Sequence, residues 1–162
     1  MINLVDKIVK IVIMAKIRLT KIFEFDAAHA LWNYDGKCKN IHGHTFRLEV
    51  TVIGKPLDKP NHPKDGMVMD YGDLKKIVKE HIIDKYDHFF IYNNNSPHKD
   101  IDYSKGGFEA TRPLDFQPTS ELMVLEFVKI LKKNLPDYVD LYSVRLWETP
   151  TSYAEWIASD NI

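Results

Sequence analysis

Between Thr45 and Gly54 every second side chain is apolar: Phe46, Leu48, Val50 and Val52 share one side, and Arg47, Glu49 and Thr51 share the other. A period of two is the signature of a strand with one buried face and one wet face, which belongs in an antiparallel sheet. From Lys16 to Asp26 the pattern Ile17, Leu19, Ile22, Phe23, Phe25 reads as a second strand that runs on into Ala27-Ala28-His29. Asn33, Asp35 and Gly36 mark residues 30–41 between them as a loop. Any fold for this chain must therefore place a long strand pair near its start.

The remaining pattern completes the sheet. Residues 55–65 carry three prolines and form a surface turn. Asp70 caps a helix over about 71–84, with Asp73 in its first turn and Leu74, Ile77, Val78 and Ile82 at helical spacing. Pro118-Thr119-Ser120-Glu121 opens a second helix over 119–134, with Leu122, Leu125, Val128 and Leu131 expected to face inward. Leu141 to Glu148 is a further strand, and a last one passes through Tyr153 and Trp156. Met67, Met69, Trp147 and Trp156 are expected in the core, and His62, His81 and His98 on the surface. Strands and helices are grouped rather than alternated, so the expected class is α+β: a four-stranded antiparallel sheet with two helices on one face. Its edges call for pairing or cover, which makes a homo-oligomer the natural expectation.

Two segments stand apart. Met1 to Met14 is apolar but broken by Asp6, Lys7 and Lys10, and no small-residue cleavage site follows. Met14-Ala15-Lys16 reads as a start, which leaves residues 1–13 as an N-terminal extension to a single domain over 14–162. Residues 93–117, rich in Asn, Gly and Pro, read as an insertion loop or a small hairpin.

The chain of 162 residues has one cysteine, 22 basic and 23 acidic side chains. That length buries a real core without a disulfide. A single cysteine makes no internal disulfide and points to a reducing compartment, the cytoplasm. Balanced charge without a basic block disfavours a nucleic-acid partner. No run of eighteen apolar residues exists, so no membrane-spanning helix is expected.

Against this background, Cys38-Lys39-Asn40-Ile41-His42-Gly43-His44 stands out. On an extended strand His42 and His44 project to the same face, with Gly43 adding no side chain between them. His29 can supply a third imidazole from the neighbouring strand. Three histidines around one ion, with a fourth position open, is the donor set of a catalytic zinc centre. A thiol beside such a centre, Cys38, is a candidate acid/base group or nucleophile. The blander reading leaves each histidine as an ordinary strand residue, and another makes Cys38 the fourth ligand of a closed, non-catalytic Cys-His site.

Asp87-His88 follows the first helix and offers an imidazole with a carboxylate next to it. It can act in proton transfer only if the fold brings it near Cys38. Glu148 ends an otherwise apolar strand, and a buried carboxylate must be paired. Two parallel N–H donors suit it, and pterins and guanines present that fork.

These segments resemble the 6-pyruvoyltetrahydropterin synthase / 6-carboxytetrahydropterin synthase family. Phe25-Asp26-Ala27-Ala28-His29, Cys38…His42-Gly43-His44, Gly66-Met67-Val68-Met69-Asp70-Tyr71, Asp87-His88, Pro118-Thr119-Ser120-Glu121 and Glu148-Thr149 occur in family order across residues 17–157. The resemblance implies the T-fold, with three subunits closing a barrel and two trimers stacking. It implies zinc on His29, His42 and His44, and Cys38 as the proton-transferring residue helped by Asp87 and His88. It further implies Glu148 as the pterin anchor, with Thr119 and Ser120 lining the pterin pocket and a pterin triphosphate as substrate. Three residues separate Cys38 from His42. That gap resembles the bacterial carboxytetrahydropterin synthases of queuosine biosynthesis, whereas the pyruvoyl-forming enzymes have a longer one. The 93–117 segment and the N-terminal extension depart from the compact bacterial pattern.

Overall fold

A computed structural model describes residues 15–107 and 109–162; the expected extension over 1–13 lies outside them. Strand β1 (Ile17–His29) pairs antiparallel with β2 (His42–Gly54) along their whole length, from Ile17 opposite Gly54 to His29 opposite His42. The first helix, α1 (Tyr71–Val78), continues through a π-helical turn (Lys79–Ile83) into a final α turn (Asp84–Tyr86). Short strands β3 (Phe90–Asn93) and β4 (Thr111–Leu114) precede the second helix, α2 (Ser120–Asn134). Strands β5 (Asp140–Thr149) and β6 (Ser152–Ile157) close the chain as a hairpin. In space the strand order is β4-β3-β1-β2-β5-β6.

The four long strands are the antiparallel ones expected, β1-β2-β5-β6, and the class is α+β. The sheet is wider than expected because residues 90–114 add two strands, parallel to β1 and to each other. The 93–117 segment is thus neither a hairpin nor a free loop. Its connection carries two 3-10 turns (Pro97–Asp100 and Tyr103–Gly106) and packs on the sheet edge through aromatic rings. Tyr103 lies 5.5 Å from Phe90 and 6.0 Å from Tyr92, and its hydroxyl donates to the His98 carbonyl at 2.9 Å. His98, expected on the surface, belongs to this aromatic group, 5.6 Å from Phe90 and 6.3 Å from Trp32.

Alternation along the strands puts Phe25, Ala27, Phe46, Leu48, Val50, Val52, Val144 and Leu146 on the face that both helices cover, all of them buried. The opposite face carries an ionic lattice in which Glu49 meets Arg47 and Arg145, and Arg145 meets Glu155. Asp70 caps α1 as expected by accepting from the Gly72 N–H, and Leu74, Val78 and Ile82 are buried beneath it. On α2 the buried stripe is Met123, Val124, Phe127, Val128 and Leu131, whereas Leu122 and Leu125 face outward. The helix is rotated from the expected face because its larger aromatic, Phe127, takes the core position against Tyr86 at 4.9 Å. Met67 is also exposed, since it sits on the turn before α1 while Val68 and Met69 take the core.

Candidate metal centre

The residues of the centre are the polar end of the core-facing stripe. His29 continues the side of Phe25 and Ala27; His44 and His42 continue the side of Phe46 and Leu48; Glu148 continues the side of Val144 and Leu146. Strand periodicity therefore aims the three histidines at one point beyond the last apolar layer, with Glu148 at the end of β5 beside them. Gly43 faces the other way, where a Cβ would press on the Ala27 carbonyl oxygen at 3.2 Å. A glycine between the two histidines lets β1 and β2 stay closely paired there.

The ring nitrogens are sorted by backbone carbonyls. His29 Nδ1 donates to the Pro118 carbonyl at 2.8 Å, and His42 Nδ1 donates to the Asn40 carbonyl at 2.8 Å. Each Nε2 is then left with its lone pair. These two Nε2 atoms stand 3.1 Å apart. Among the described residues His44 Nε2 is buried without a hydrogen-bond partner. Lone pairs converging this closely repel unless a cation lies among them. Imidazole nitrogens on a tetrahedral zinc at 2.0–2.1 Å would be about 3.3 Å apart, close to what is seen. One ligand atom each from His29, His42, His44 and Glu148 lies within 4.8 Å of every other. The donor set fits a divalent metal, and the carbonyl bonds to Nδ1 are the outer support that such ligands carry.

Glu148 is brought into this group rather than left in water. The β5–β6 register shifts between Trp147 and Thr149, so Glu148 is the extra residue of a bulge, a device that re-aims a side chain. Its Oε1 lies 3.4 Å from both His29 Nε2 and His44 Nε2, and its Oε2 accepts from Ser120 Oγ at 2.5 Å. Whenever His29 Nε2 carries a proton, its hydrogen bond, and then that of the Ser120 hydroxyl, hold the Glu148 carboxyl down at about 2 against the opposing effect of burial. Burial in turn pushes His44 below the ordinary histidine value. Thr119 is the N-cap of α2, accepting from the Leu122 N–H, and so places Ser120 at the centre.

Asp87 and His88 lie on the same end of the sheet. The His88 N–H donates to the Asp26 carbonyl at 2.6 Å, and Asp87 Oδ1 accepts from the Asp26 N–H at 3.0 Å. The two side chains meet at 2.9 Å through His88 Nδ1 and Asp87 Oδ1. His88 holds a left-handed backbone, φ 64°, which is uncommon outside glycine. A cleft of about 880 Å³ separates this pair from the 93–117 segment; His44, Thr45 and His88 line it opposite Ile101, Tyr103 and Gly106.

Cys38 sits in a short 3-10 turn, half-buried and free, outside the metal-binding group. The geometry therefore gives no support to a Cys-His site closed by Cys38. Among the described residues its thiol makes no hydrogen bond to Asp87 or His88. Its loop is held at Leu31, whose N–H donates to the Cys38 carbonyl at 2.9 Å. It is held again at Trp32, whose backbone N–H and C=O both bond the Gln117 side-chain amide.

Sequence reasoning missed Gln117, Pro118, Asp26 and Thr45. Pro118 acts through its carbonyl, which no side-chain pattern announces. Asp26 Oδ1 accepts from Thr45 Oγ1 at 2.6 Å; their facing positions on β1 and β2, read off the strand pairing, were the available signal.

Residues 18–158 match the 6-pyruvoyl tetrahydropterin synthase family. The chain is 38% identical over 141 residues to a 6-carboxy-5,6,7,8-tetrahydropterin synthase from Haemophilus influenzae, covering 86% of this chain and 97% of that protein. It is 33% identical to the enzyme of the same name from Aquifex aeolicus, over 87% of this chain and 98% of that one. Among solved structures, an uncharacterized protein from Wolinella succinogenes shares the fold at a TM-score of 0.70 and 22% identity, covering 89% of this chain and 99% of its own. The 6-pyruvoyl tetrahydropterin synthase of Caenorhabditis elegans matches at a TM-score of 0.63 and 26% identity, over 90% and 97% of the two chains. With the T-fold, the clustered imidazoles and a match across nearly its whole described length, this chain belongs to the 6-pyruvoyl tetrahydropterin synthase family of enzymes.

Proposed function

We propose that this chain is a zinc-dependent carbon–carbon lyase that converts 7,8-dihydroneopterin triphosphate to 6-carboxy-5,6,7,8-tetrahydropterin, acetaldehyde and triphosphate, in queuosine biosynthesis. One observation carries the reading: three imidazoles and a carboxylate converge at one end of the sheet in a chain whose full-length relatives bear that enzyme's name. His29, His42 and His44 would hold the zinc, which supplies Lewis acidity to the side-chain oxygens of the substrate.

The chain's own groups do the rest. Glu148, held by Ser120, accepts the paired N–H donors of the pterin ring, and Thr119 and Ser120 border that ring. Cys38, as thiolate, takes a proton from a side-chain carbon, and His88, oriented by Asp87 and lining the cleft, serves as a second proton-transfer group that makes no hydrogen bond to the Cys38 thiol among the described residues. Triphosphate departs, and cleavage releases the two outer side-chain carbons as acetaldehyde. The remaining carbon stays on the ring as the carboxyl group, its second oxygen coming from water, and the two electrons that the side chain gives up reduce the dihydropterin ring to the tetrahydro level.

Assembly into trimers, and a stack of two, is supported by the sheet's edges. At one edge β4 is four residues long and blunted by Pro113, while among the described residues β6 has no partner strand on its outer side. Work in the cytoplasm accords with the free thiol, and among the described residues no helix is long and apolar enough to cross a membrane.

Incubating the zinc-loaded protein with 7,8-dihydroneopterin triphosphate and weighing the products tests the reading. Acetaldehyde and the carboxy product are expected. A pyruvoyl product without acetaldehyde would assign the sister reaction instead, and unchanged substrate would leave a pterin-binding protein without turnover.

A further inference from the structure

We infer that Arg112 is a positioning residue, through which the 93–117 segment holds the Asp87–His88 turn in its working conformation. The turn is short and uncommon in shape, and something must hold it. Before it stands Tyr86, completely buried at the end of α1 and packed edge-on against Phe25 and Phe127. The Arg112 guanidinium lies over the Tyr86 ring, 4.2 Å from its centroid. After the turn, the Phe90 N–H donates to the Ala110 carbonyl at 2.9 Å, and β3 runs parallel to β4 with Ile91 opposite Arg112. Residues of one segment thus grip both ends of the Asp87–Phe89 stretch.

The electrostatics give the contact its strength. A half-buried guanidinium is costly unless it gains from what it touches, and among the described residues Arg112 Nε is buried with no hydrogen-bond partner. The π-face of Tyr86 is what its plane meets, and a desolvated cation over an aromatic face is attracted more strongly than an exposed one. With Arg112 over its ring and Phe127 packed against it at 4.9 Å, Tyr86 is held in place, and its carbonyl with it. That carbonyl accepts the Phe89 N–H at 3.2 Å, closing the turn in which His88 keeps φ 64°.

This inference rests on the proposed role of Asp87 and His88 in turnover, but part of its test does not. Amide hydrogen exchange on the zinc-loaded protein reads the turn directly. Arg112→Ala should speed exchange at the His88 and Phe89 amides about tenfold or more relative to wild type, the scale of a desolvated cation–π contact, while the β1–β2 amides keep their protection. Arg112→Lys, which keeps a cation over the ring, should restore most of it. If Arg112→Ala does not fold, Arg112→Gln carries the same comparison. Unchanged exchange at both amides in a folded variant, or a loss spread evenly over the sheet, overturns the inference.

Turnover gives the second arm. Arg112→Ala should lower kcat with little change in KM or zinc content, and should add nothing to His88→Ala. An undiminished effect of Arg112→Ala in the His88→Ala background would show a general structural role and reject the clamp. If His88→Ala alone keeps wild-type turnover, the catalytic role given to His88 fails, and hydrogen exchange still decides on Arg112.

Discussion

Ser120 and Glu148, one at the start of α2 and the other in a bulge of β5, share a 2.5 Å hydrogen bond in which the hydroxyl donates to Oε2. That bond fixes one carboxylate oxygen and leaves Oε1 facing His29 and His44 at 3.4 Å. Glu148 thus borders the three clustered histidines and the start of α2 at once.

Glu148→Ala is expected to weaken pterin binding by about 2–5 kcal/mol, since the ring's N–H donors would be left unpaired in a desolvated site. Glu148→Gln should cost nearly as much, because an amide offers one acceptor. Titrating neopterin or sepiapterin into the three proteins measures this. Zinc content should hold in both variants; loss of zinc would make Glu148 a ligand instead.

His42→Ala and His44→Ala are each expected to lose most of the bound metal while the chain stays folded. Elemental analysis beside circular dichroism checks both parts. Full metal content in both variants would refute the three-imidazole assignment.

Cys38→Ala should keep zinc and bind pterin but turn over ~10²–10⁴-fold more slowly, the usual loss for one proton-transfer group. Single-turnover kinetics on metal-loaded protein read this separately from binding. Near-wild-type rates would move the proton abstraction to His88.

Phe127→Ala should destabilise the fold by about 3–5 kcal/mol, because it removes a fully buried ring that packs on Tyr86 and Phe25. Denaturant unfolding of the metal-loaded protein gives the figure. A change under 1 kcal/mol, on the order of a conservative core swap, would mean that the aromatic group repacks around the gap.

How far the sequence could be read depended on what kind of signal each element leaves. The β1–β2 pair was legible because β2 alternates from Thr45 to Gly54 and β1 carries Ile17, Leu19, Phe23 and Phe25 on one side, although the strands themselves run for thirteen residues each. The caps of both helices were legible because Asp70 and Thr119 bond the backbone locally. His29, His42 and His44 were legible as a group because strand parity is simple arithmetic. β3 and β4 were not: each is four residues long, and their parallel pairing comes from contacts distant in the chain. Leu122 and Leu125 misled because apolar residues surround much of α2, and only the packing of Phe127 decides which side turns inward. Pro118 was invisible because the site uses its carbonyl, which every residue has.

His29 is fully buried, whereas His42 and His44 are only partly so. A metal ion held by the three imidazoles would therefore rest on a buried floor at His29 and face solvent on the side of His42 and His44. The floor is set by the Pro118 carbonyl, and so by the docking of α2, before any ion arrives. A chelator would reach an ion held there from the side of His42 and His44, the two partly exposed imidazoles, while His29 and its Pro118 contact stay buried. Losing and regaining the ion should then be a quick, reversible exchange that leaves the sheet assembled.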